Sequence, residues 1–338
     1  MKTICLPVNY ESVQRAASIL MVGGLVAFPT ETVYGLGGNA LLREAVTAIY
    51  RVKRRPADNP MIVHIAYVDE AKRLCHWNET ASQLASAFWP GPMTMLLPKK
   101  DIIPDETTAG LPTVALRIPN HPAALRLIAA CGFPLAGPSA NLSGQPSPTS
   151  AAHVLGDFDG LIPMVLDGGH CAIGVESTVL DLTPAVPRIL RPGAVTPEQI
   201  SMVCGHCQVD ATVMRPLVQG EKAASPGMRH QHYAPKAKLT LVRGEPYAVA
   251  EKIKAAYDAA PSPRILAFRD HISLYGNRLT EDLGADASSA AHRLYYLLRS
   301  MDDQAVSHIF SETLPETGLG LAVMNRLARA SGFDIIDV

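Results

Sequence analysis

The sequence has few cysteines and few charged residues for its length. Cysteine accounts for six of the 338 residues, and lysine, arginine, aspartate and glutamate together make up 18%. Most of these cysteines have apolar neighbours, which fits buried, reduced thiols better than a disulfide framework. The formal net charge is −1, so no overall charge attracts nucleic acid or an anionic membrane. A role that involves nucleic acid would therefore be local or indirect.

Long apolar runs are also missing. No stretch approaches the ~20 apolar residues that a membrane-spanning helix needs. The first nine residues, MKTICLPVN, lack the apolar core and small-residue cleavage site of a secretory signal. We therefore expect a cytoplasmic protein that does not bind membranes. With 48% apolar residues, a chain of this length is suited to two domains that each bury a core.

Several motifs that carry catalysis or metal binding elsewhere are absent. The sequence has no Gly-x-Ser-x-Gly elbow and no P-loop lysine, and the glycines at 318 and 320 fall short of a dinucleotide fingerprint. Cys204 and Cys207 have the spacing of a metal or redox pair, but a second pair of ligands with matching spacing is lacking. We therefore expect no metal site built from side chains.

What the sequence does contain is an alternation of apolar runs and amphipathic segments. Residues 25–28 are predicted to form a buried strand. The stretch that follows, up to Asn39, is rich in glycine and hydroxyl side chains and is predicted to form a loop at the end of that strand. Further strands are predicted over 61–65, 93–97, 113–118, 164–166, 177–182 and 188–191, with helices over 11–21, 42–52, 80–88, 121–131 and 196–203.

The second part of the chain alternates more regularly. Strands are predicted over 239–243, 264–268 and 306–310, with helices over 246–259, 287–302 and 322–331. Such an alternation is typical of a parallel α/β domain. Between the two parts, residues 208–238 show a weak period, and their prolines and glycines indicate a linker. We therefore predict a first domain over 1–207, a linker over 208–238 and a second domain over 239–338.

Polar side chains cluster at the predicted ends of strands in the first domain. Most are cations or small hydrogen-bonding groups, and neither cysteine nor a pair of carboxylates belongs to the set. This inventory suits the binding of phosphates and a carboxylate, so the reacting groups would come from the substrates. Each residue alone also has a structural interpretation, as a helix end, a core histidine or a turn. The residues are Thr32, Lys53, Arg55, His64, Thr113, Arg117, Ser139, Asn141, Ser177 and Arg191.

Six motifs in fixed order closely resemble those of the threonylcarbamoyl-adenylate synthases, a YrdC-like family. They are PTETVYGLG at 29–37, KRRP at 53–56 followed by NP, PGPMT at 90–94, SANLSG at 139–144, VEST at 175–178 and LRPG at 190–193. The linker runs SPGM and HYAP, with the α/β domain after them, are similar to the long, two-domain form of that family. One departure is Arg54, where many members have glycine.

The resemblance implies an α/β fold, in which a twisted mixed sheet with surrounding helices encloses a large basic cavity and a small Rossmann-like parallel domain follows. It also implies a nucleotidyltransferase that makes L-threonylcarbamoyl-AMP from L-threonine, bicarbonate or carbon dioxide, and ATP, with release of pyrophosphate. Mg²⁺ would accompany the ATP phosphates. The product would serve N6-threonylcarbamoyladenosine modification of tRNA through a downstream transferase complex, with weak or no direct tRNA binding by this chain.

The resemblance also implies roles for individual residues. L-Threonine would contact Thr32, His64, Arg117, Gly137 and Ser177. ATP would contact Lys53, Arg55, Asn59, Thr113, Ser139, Asn141, Ser147, Arg191 and Tyr233. The residues that stabilise the developing charge, and are thus catalytic, would be Lys53, Arg55, Ser139 and Asn141. Tyr233 and His232 of the linker would close over ATP as a lid.

Two other interpretations stay open. A double-stranded RNA or tRNA binding module could hold backbone phosphates in the same basic cavity, although such proteins usually spread their cations over a surface. A carbamoyltransferase of the hydrogenase-maturation type shares this core, but the added zinc-finger and acylphosphatase-like regions of that type are not visible here. Conversion of ATP that requires both threonine and bicarbonate would separate the three interpretations.

Overall fold

Two sheets organise the part of the chain that this computed structural model describes, residues 2–215 and 233–338. Most of the predicted linker, including His232 of the predicted lid, lies outside the described residues. Tyr233, the other lid residue, lies within them. The predicted domain boundaries at 207 and 238 stay a prediction.

The larger sheet has eleven strands among the described residues. They are β1 (Ile4–Pro7), β2 (Val26–Phe28), β3 (Gly35–Asn39), β4 (Ile62–His64), β5 (Met93–Pro98), β6 (Thr113–Arg117), β7 (Leu135–Ala136), β8 (Met164–Asp167), β9 (Thr178–Asp181), β10 (Arg188–Arg191) and β11 (Gln208–Val209). Their spatial order is β1-β8-β2-β3-β7-β4-β6-β5-β9-β10-β11, with both parallel and antiparallel neighbours. The predicted mixed sheet is therefore confirmed.

The helices of this part bury one apolar face each. In α1, for example, Val13, Ala16 and Leu20 are buried, and the side chain of Asn9 caps the first turn by accepting a hydrogen bond of 2.8 Å from the Ser12 amide. The helices are α1 (Tyr10–Met21), α2 (Arg43–Lys53), α3 (Val68–Leu74), α4 (Glu79–Phe88), α5 (Asp105–Thr108), α6 (Pro122–Cys131), α7 (Ala151–Phe158) and α8 (Pro197–Cys204). None of the helices in the described ranges is long and apolar enough to cross a membrane.

The stretch up to Asn39 corrects one prediction. We predicted a loop after β2, but Gly35–Asn39 forms β3, which pairs antiparallel with β2. The ring of Phe28 explains the glycines, because a Cβ atom at Gly35 or Gly37 would lie 3.1 or 3.0 Å from this ring. The glycines therefore make room for an aromatic ring inside a sheet, and the loop is confined to residues 29–34.

The smaller sheet is parallel throughout. Its strands are β12 (Lys238–Arg243), β13 (Pro263–Phe268), β14 (Thr280–Gly284), β15 (His308–Glu312) and β16 (Ile335–Asp337), in the order β14-β13-β15-β12-β16. The helices are α9 (Pro246–Ala259), α10 (Ala287–Asp303) and α11 (Gly318–Ala330). Every pair of neighbouring strands is parallel, so the predicted parallel α/β domain is confirmed.

The two domains pack directly against each other. Val33 and Val175 of the first domain belong to the same buried cluster as residues of α10 and α11. Gly174 lies so close to α10 that a Cβ atom there would be 2.6 Å from the Cα atom of His292, and its φ of +91° also favours glycine. Every residue of α11 from Gly320 to Ala330 is buried. The second domain thus contributes to the interior of the first.

Candidate functional site

A cavity lies in the first domain where several strands of the larger sheet end. His64 and Arg117 are paired residues at the ends of the parallel strands β4 and β6, and both side chains line the cavity. Arg55 and Arg191 also lie in the lining, which makes three arginines against one carboxylate, that of Glu176, so the cavity is basic. The predicted site residues that line it are Thr32, Arg55, His64, Arg117, Gly137, Ser139, Asn141, Ser147, Ser177, Arg191 and Tyr233.

The predictions divide this lining in two. We call the predicted threonine contacts Thr32, His64, Arg117, Gly137 and Ser177 the threonine half. We call the predicted ATP contacts Arg55, Ser139, Asn141, Ser147, Arg191 and Tyr233 the nucleotide half. Three further predicted ATP contacts, Lys53, Asn59 and Thr113, do not line the cavity.

The Arg117 guanidinium is held from three sides. Its Nε donates to the carbonyl of Gly91 at 3.2 Å, and Nη1 donates to the hydroxyl of Thr32 at 3.0 Å. Nη2 lies 2.7 Å from Glu31 Oε1, out of line for a hydrogen bond, so this contact is an ion pair. Both side chains are buried. The arginine is therefore fixed in orientation. The N–H groups on its Nη2 donate no hydrogen bond to any described residue.

The Thr32 hydroxyl presents an acceptor to the cavity. Thr30 Oγ1 donates its only hydrogen to the carbonyl of Val33 at 2.6 Å, so in the 2.9 Å contact between the two threonine hydroxyls Thr32 is the donor. Because Thr32 also accepts from Arg117, one lone pair remains for a ligand. An amine or a hydroxyl group would satisfy it.

His64 is neutral and buried. Burial, with the neighbouring Arg117 charge, lowers the pKa of His64 to about 3. Its Nδ1 atom has no hydrogen-bond partner among the described residues. A Cβ atom at Gly137 would lie 2.8 Å from this Nδ1, so a side chain there would press on the imidazole. The threonine half therefore holds two buried nitrogen atoms, His64 Nδ1 and Arg117 Nη2, that lack a hydrogen-bond partner in the described chain.

Two anchored arginines supply the charge of the nucleotide half. Arg55 donates to the carbonyl and side-chain oxygens of Asn59 at 3.0 and 2.6 Å, and to the carbonyl of Pro60 at 2.8 Å. Arg191 donates to the carbonyl and hydroxyl of Ser177 at 3.1 and 3.3 Å. All these acceptors are neutral oxygen atoms, so neither positive charge is cancelled by these contacts. Burial lowers the pKa of Arg55 to about 10, which keeps it charged at neutral pH.

Lys53 lies beneath the cavity rather than in its lining. It is the last residue of α2, and its Nζ donates to the carbonyls of Ser139 and Asn141, at 2.5 Å each. The side chain is buried, and burial lowers its pKa well below the ordinary value. Arg54 follows in the left-handed conformation, at φ +51°, which accounts for glycine at this position in many members of the family that the motifs resemble. Lys53 thus fixes the loop that carries Ser139 and Asn141.

Asn59 and Thr113 also have positions apart from the cavity lining. Both oxygen atoms of Asn59 accept from Arg55, so Asn59 orients that arginine. Thr113 is the first residue of β6, at the opposite end of the strand from Arg117.

Glu176 is a carboxylate that sequence reasoning missed, although it stands in the VEST motif. Its Oε1 accepts from the Ser147 hydroxyl at 2.5 Å, and its Oε2 accepts from Tyr295 at 2.9 Å and from Arg326 Nε at 2.7 Å. Burial alone would raise the pKa of Glu176, but Arg326, Arg191 and the Ser147 hydroxyl outweigh burial and lower it to about 2. Glu176 is therefore ionised and bound by residues of both domains.

Tyr233 links the nucleotide half to the second domain. Its ring lies 5.4 Å from the ring of Tyr295, and the Arg326 guanidinium lies 5.5 Å from its centre. The side chain is buried and lines the cavity.

Side chains do not gather into a metal-binding group in the described ranges, where no cluster of three or more histidine, cysteine, aspartate or glutamate residues occurs that could hold a metal ion. The two carboxylates nearest the cavity are already occupied, since Glu31 pairs with Arg117 and Glu176 is bound by three donors.

Two protein families match successive parts of the chain. Residues 18–193 match the Sua5, YciO and YrdC family, described as "Telomere recombination". Residues 195–332 match the family described as "Threonylcarbamoyl-AMP synthase, C-terminal domain".

Individual proteins are similar over nearly the whole length. The threonylcarbamoyl-AMP synthase of Bacillus subtilis is 45% identical over 335 residues, which is 98% of this chain and 96% of that protein. The protein of the same name from Pyrococcus abyssi is 45% identical over 335 residues and covers 96% of each. A crystal structure of P. abyssi Sua5 complexed with L-threonine superposes with a TM-score of 0.94 at 43% identity and covers 100% of both chains.

Proposed function

Because this chain belongs to the threonylcarbamoyl-AMP synthase family, in its two-domain form, we propose that the cavity is its active site. The chain is an enzyme that makes threonylcarbamoyl-AMP for threonylcarbamoyladenosine modification of tRNA. Its substrates are L-threonine, bicarbonate or carbon dioxide, and ATP with its Mg²⁺, and pyrophosphate is the second product. A downstream transferase complex consumes threonylcarbamoyl-AMP.

Two buried nitrogen atoms that lack a hydrogen-bond partner among the described residues carry the assignment of the threonine half. Arg117 Nη2 can donate to a carboxylate, and His64 Nδ1 can bond to a hydroxyl group. The free lone pair of Thr32 can accept from an amine. L-Threonine carries these three groups on adjacent carbon atoms, which is why it satisfies all three positions at once. A buried polar atom left without a partner is costly, so binding of threonine removes a penalty of the empty site.

The nucleotide half is suited to a triphosphate. Arg55 and Arg191 are anchored on neutral oxygen atoms and hold their charge in place before ATP arrives. Lys53 adds a third cation from beneath the loop that carries Ser139 and Asn141. Asn59 and Thr113 lie outside the lining. Asn59 would act on ATP by orienting Arg55.

The reaction needs no covalent bond to the enzyme. The threonine amine attacks carbon dioxide and loses a proton, which gives a carbamate. A carbamate oxygen then attacks the α-phosphorus of ATP, and the bond to the departing pyrophosphate breaks. The cavity brings both substrates together, and its cations stabilise the charge on the five-coordinate phosphorus and on pyrophosphate.

Threonine-dependent release of pyrophosphate tests this assignment. With purified enzyme, ATP and Mg²⁺, we expect pyrophosphate only when threonine and bicarbonate are both present, together with a product of the mass of threonylcarbamoyl-AMP. Valine in place of threonine is the matched control, because it has a methyl group where threonine has the hydroxyl and keeps the amine and the carboxylate. Nucleotide turnover that ignores threonine would overturn the proposal.

Burial of the cations favours this enzyme over an RNA-binding module. Lys53, Arg117 and Arg191 are 1%, 3% and 8% exposed, so the backbone of a duplex could not reach them. We propose that any contact of this chain with tRNA is weak and that the nucleic-acid substrate is met by the downstream transferase.

Tyr233 closes the nucleotide half. A carbamate decomposes readily in water, so the site has to exclude solvent during turnover. Tyr233 is the first described residue after the gap at 216–232 and already lines the cavity. We expect Tyr233→Ala to lower threonine-dependent pyrophosphate release about tenfold or more, since the ring contributes both a wall and a contact to ATP. Tyr247→Ala, at an exposed tyrosine of the second domain, is the control. Equal rates of pyrophosphate release in both variants would contradict the role of Tyr233 as a lid.

A further inference from the structure

Glu176 joins the second domain to the wall of the nucleotide half. Its Oε2 accepts hydrogen bonds from Tyr295 of α10 and Arg326 of α11, while its Oε1 accepts from Ser147. Arg326 also donates to the carbonyl of Pro192 at 3.0 Å. Tyr295 and Arg326 are completely buried, and neither lines the cavity. These two residues of the second domain therefore act on the cavity through residues that line it, among which Glu176 accepts their hydrogen bonds.

The hydrogen of the Ser147 hydroxyl is committed by this arrangement. Glu176 is ionised, so the 2.5 Å bond between the two side chains has Ser147 as its donor. A hydroxyl has one hydrogen, and Ser147 therefore turns only lone pairs toward the cavity. The orientation of this group depends on the orientation of the Glu176 carboxylate.

The backbone before Ser147 is held by the second domain as well. Arg299 of α10 donates to the carbonyl of Pro146 through Nε at 3.0 Å and Nη2 at 2.6 Å, and it forms an ion pair with Asp157. The segment that carries Ser147 is thus fixed by α10 at the backbone and by Glu176 at the side chain. Gly174 allows the first domain to come this close to α10.

We propose that Tyr295 and Arg326 are positioning residues for ATP, which act through Glu176 on the Ser147 hydroxyl. This inference rests on the proposed function and assigns a role in it to the second domain. Tyr295 and Arg326 hold the carboxylate in one rotamer, and the carboxylate holds the hydroxyl as an acceptor at one place on the cavity wall. Because ionised phosphates only accept hydrogen bonds, the group of ATP that bonds to this acceptor would be the adenine amino group or a ribose hydroxyl. Binding of threonine does not involve this relay, because Arg117 is fixed separately by Gly91, Thr32 and Glu31.

The variant Tyr295→Phe tests the relay with little change in packing. It removes the phenol oxygen and keeps the ring that stacks on Tyr233. We expect the KM for ATP to rise about tenfold, because a hydrogen bond to a charged, buried group is lost. The KM for threonine should change less than twofold. The Kd for ATP measured by calorimetry should rise by the same factor as the KM.

A matched control lies in the same domain. Tyr275 is also fully buried and donates a 2.6 Å hydrogen bond to a buried carboxylate, that of Glu312, away from the cavity. Tyr275→Phe should therefore lower thermal stability by a similar amount and leave both KM values unchanged. If Tyr275→Phe raises the KM for ATP as much as Tyr295→Phe does, the effect is one of stability, and the relay is wrong.

A double-mutant cycle with Ser147→Ala decides whether the effect passes through the hydroxyl. In the Ser147→Ala background, Tyr295→Phe should add less than twofold to the KM for ATP, since the group that it positions is gone. Multiplicative effects of the two substitutions would overturn the relay. The wild-type enzyme in the same assay separates the two hypotheses. Absence of threonine-dependent turnover there would contradict the proposed function, whereas normal turnover with an unchanged Tyr295→Phe variant would contradict only the relay.

Discussion

Two buried ion pairs flank the cavity with opposite orientation. In the threonine half, Arg117 lines the cavity and Glu31 lies behind it. In the nucleotide half, Glu176 lines the cavity and Arg326 lies behind it. The first pair thus presents a cation to the ligand, and the second presents a carboxylate with its bound hydroxyl. In each pair, the charge that a ligand meets at close range is that of the residue in the lining, and the residue behind it supplies the opposite charge.

The two pairs also differ in how far apart their residues lie along the chain. Glu31 and Arg117 belong to one domain, whereas Glu176 and Arg326 are separated by 150 residues and belong to two. A change at the first pair should act on one substrate, while a change at the second should act on the other substrate and on the attachment of the second domain.

Removal of one charge from either pair is expected to have the largest effect. Arg326→Met should lower the free energy of unfolding by about 3–5 kcal/mol, because it removes the guanidinium that pairs with the buried Glu176 carboxylate, and Arg117→Met should do the same through Glu31. Adding Glu176→Gln or Glu31→Gln, respectively, should restore part of the loss. Urea denaturation measures all four variants. Single variants as stable as the wild type would contradict the assignment of both pairs as buried charges.

A smaller effect should separate the two halves by substrate. Arg117→Lys keeps the charge but loses the planar fork, so we expect the KM for threonine to rise about tenfold to a hundredfold. The KM for ATP should stay within twofold, the reverse of the expectation for Tyr295→Phe. Initial rates of pyrophosphate release measure both constants.

The control for this variant is Arg188→Lys, which changes an arginine of the first domain that pairs with Asp181 outside the cavity lining. It should leave both constants unchanged. Equal rises of both KM values in Arg117→Lys would break the division of the cavity into halves.

The effect of pH is the smallest over any one pH unit and concerns His64, beside the Arg117 pair. The pKa of His64 is about 3 in the folded protein, whereas the ordinary pKa of histidine is 6.5. Between these values the unfolded chain binds the additional proton, so falling pH favours unfolding. This histidine should cost the wild type up to about 1.4 kcal/mol of stability per pH unit as the pH falls from 6.5 toward 3.

Denaturation curves of the wild type and of His64→Gln measure this cost as a difference that shrinks or reverses toward low pH. His76→Gln, at an exposed histidine, is the control and should show a constant difference. A constant difference for His64→Gln as well would mean that His64 is not held neutral in the folded protein.

Much of the cavity could be predicted because its residues stand in short local motifs. His64 and Arg117 follow apolar runs that read as strands, and strand ends of one sheet meet at one place. The parallel second domain was predicted from the alternation of its strands and helices, and the mixed sheet was predicted from the resemblance to the family. The loop predicted up to Asn39 was wrong in its second part because the glycines there accommodate the Phe28 ring, a packing contact that no local pattern reveals.

The residues that lie behind the cavity lining could not be predicted in their positions. Tyr295 and Arg326 lie 119 and 150 residues from Glu176, on helices whose patterns only indicate burial. Lys53 was predicted to contact ATP, but its position beneath the loop could not be predicted, because the carbonyls that hold it there come from residues more than eighty positions away. Long-range hydrogen bonds of this kind depend on how two domains pack, and a single sequence carries no periodic signal for that.

Helix α11 also affects how the two domains unfold. Its residues from Gly320 onward are buried, Arg326 faces the first domain through Glu176, and Leu327 lies in the core of the second domain. Separation of the domains would strip α11 of its cover and leave a carboxylate and a guanidinium without counter-charge. We therefore expect the two sheets to unfold together, as one cooperative unit, despite the two-part architecture.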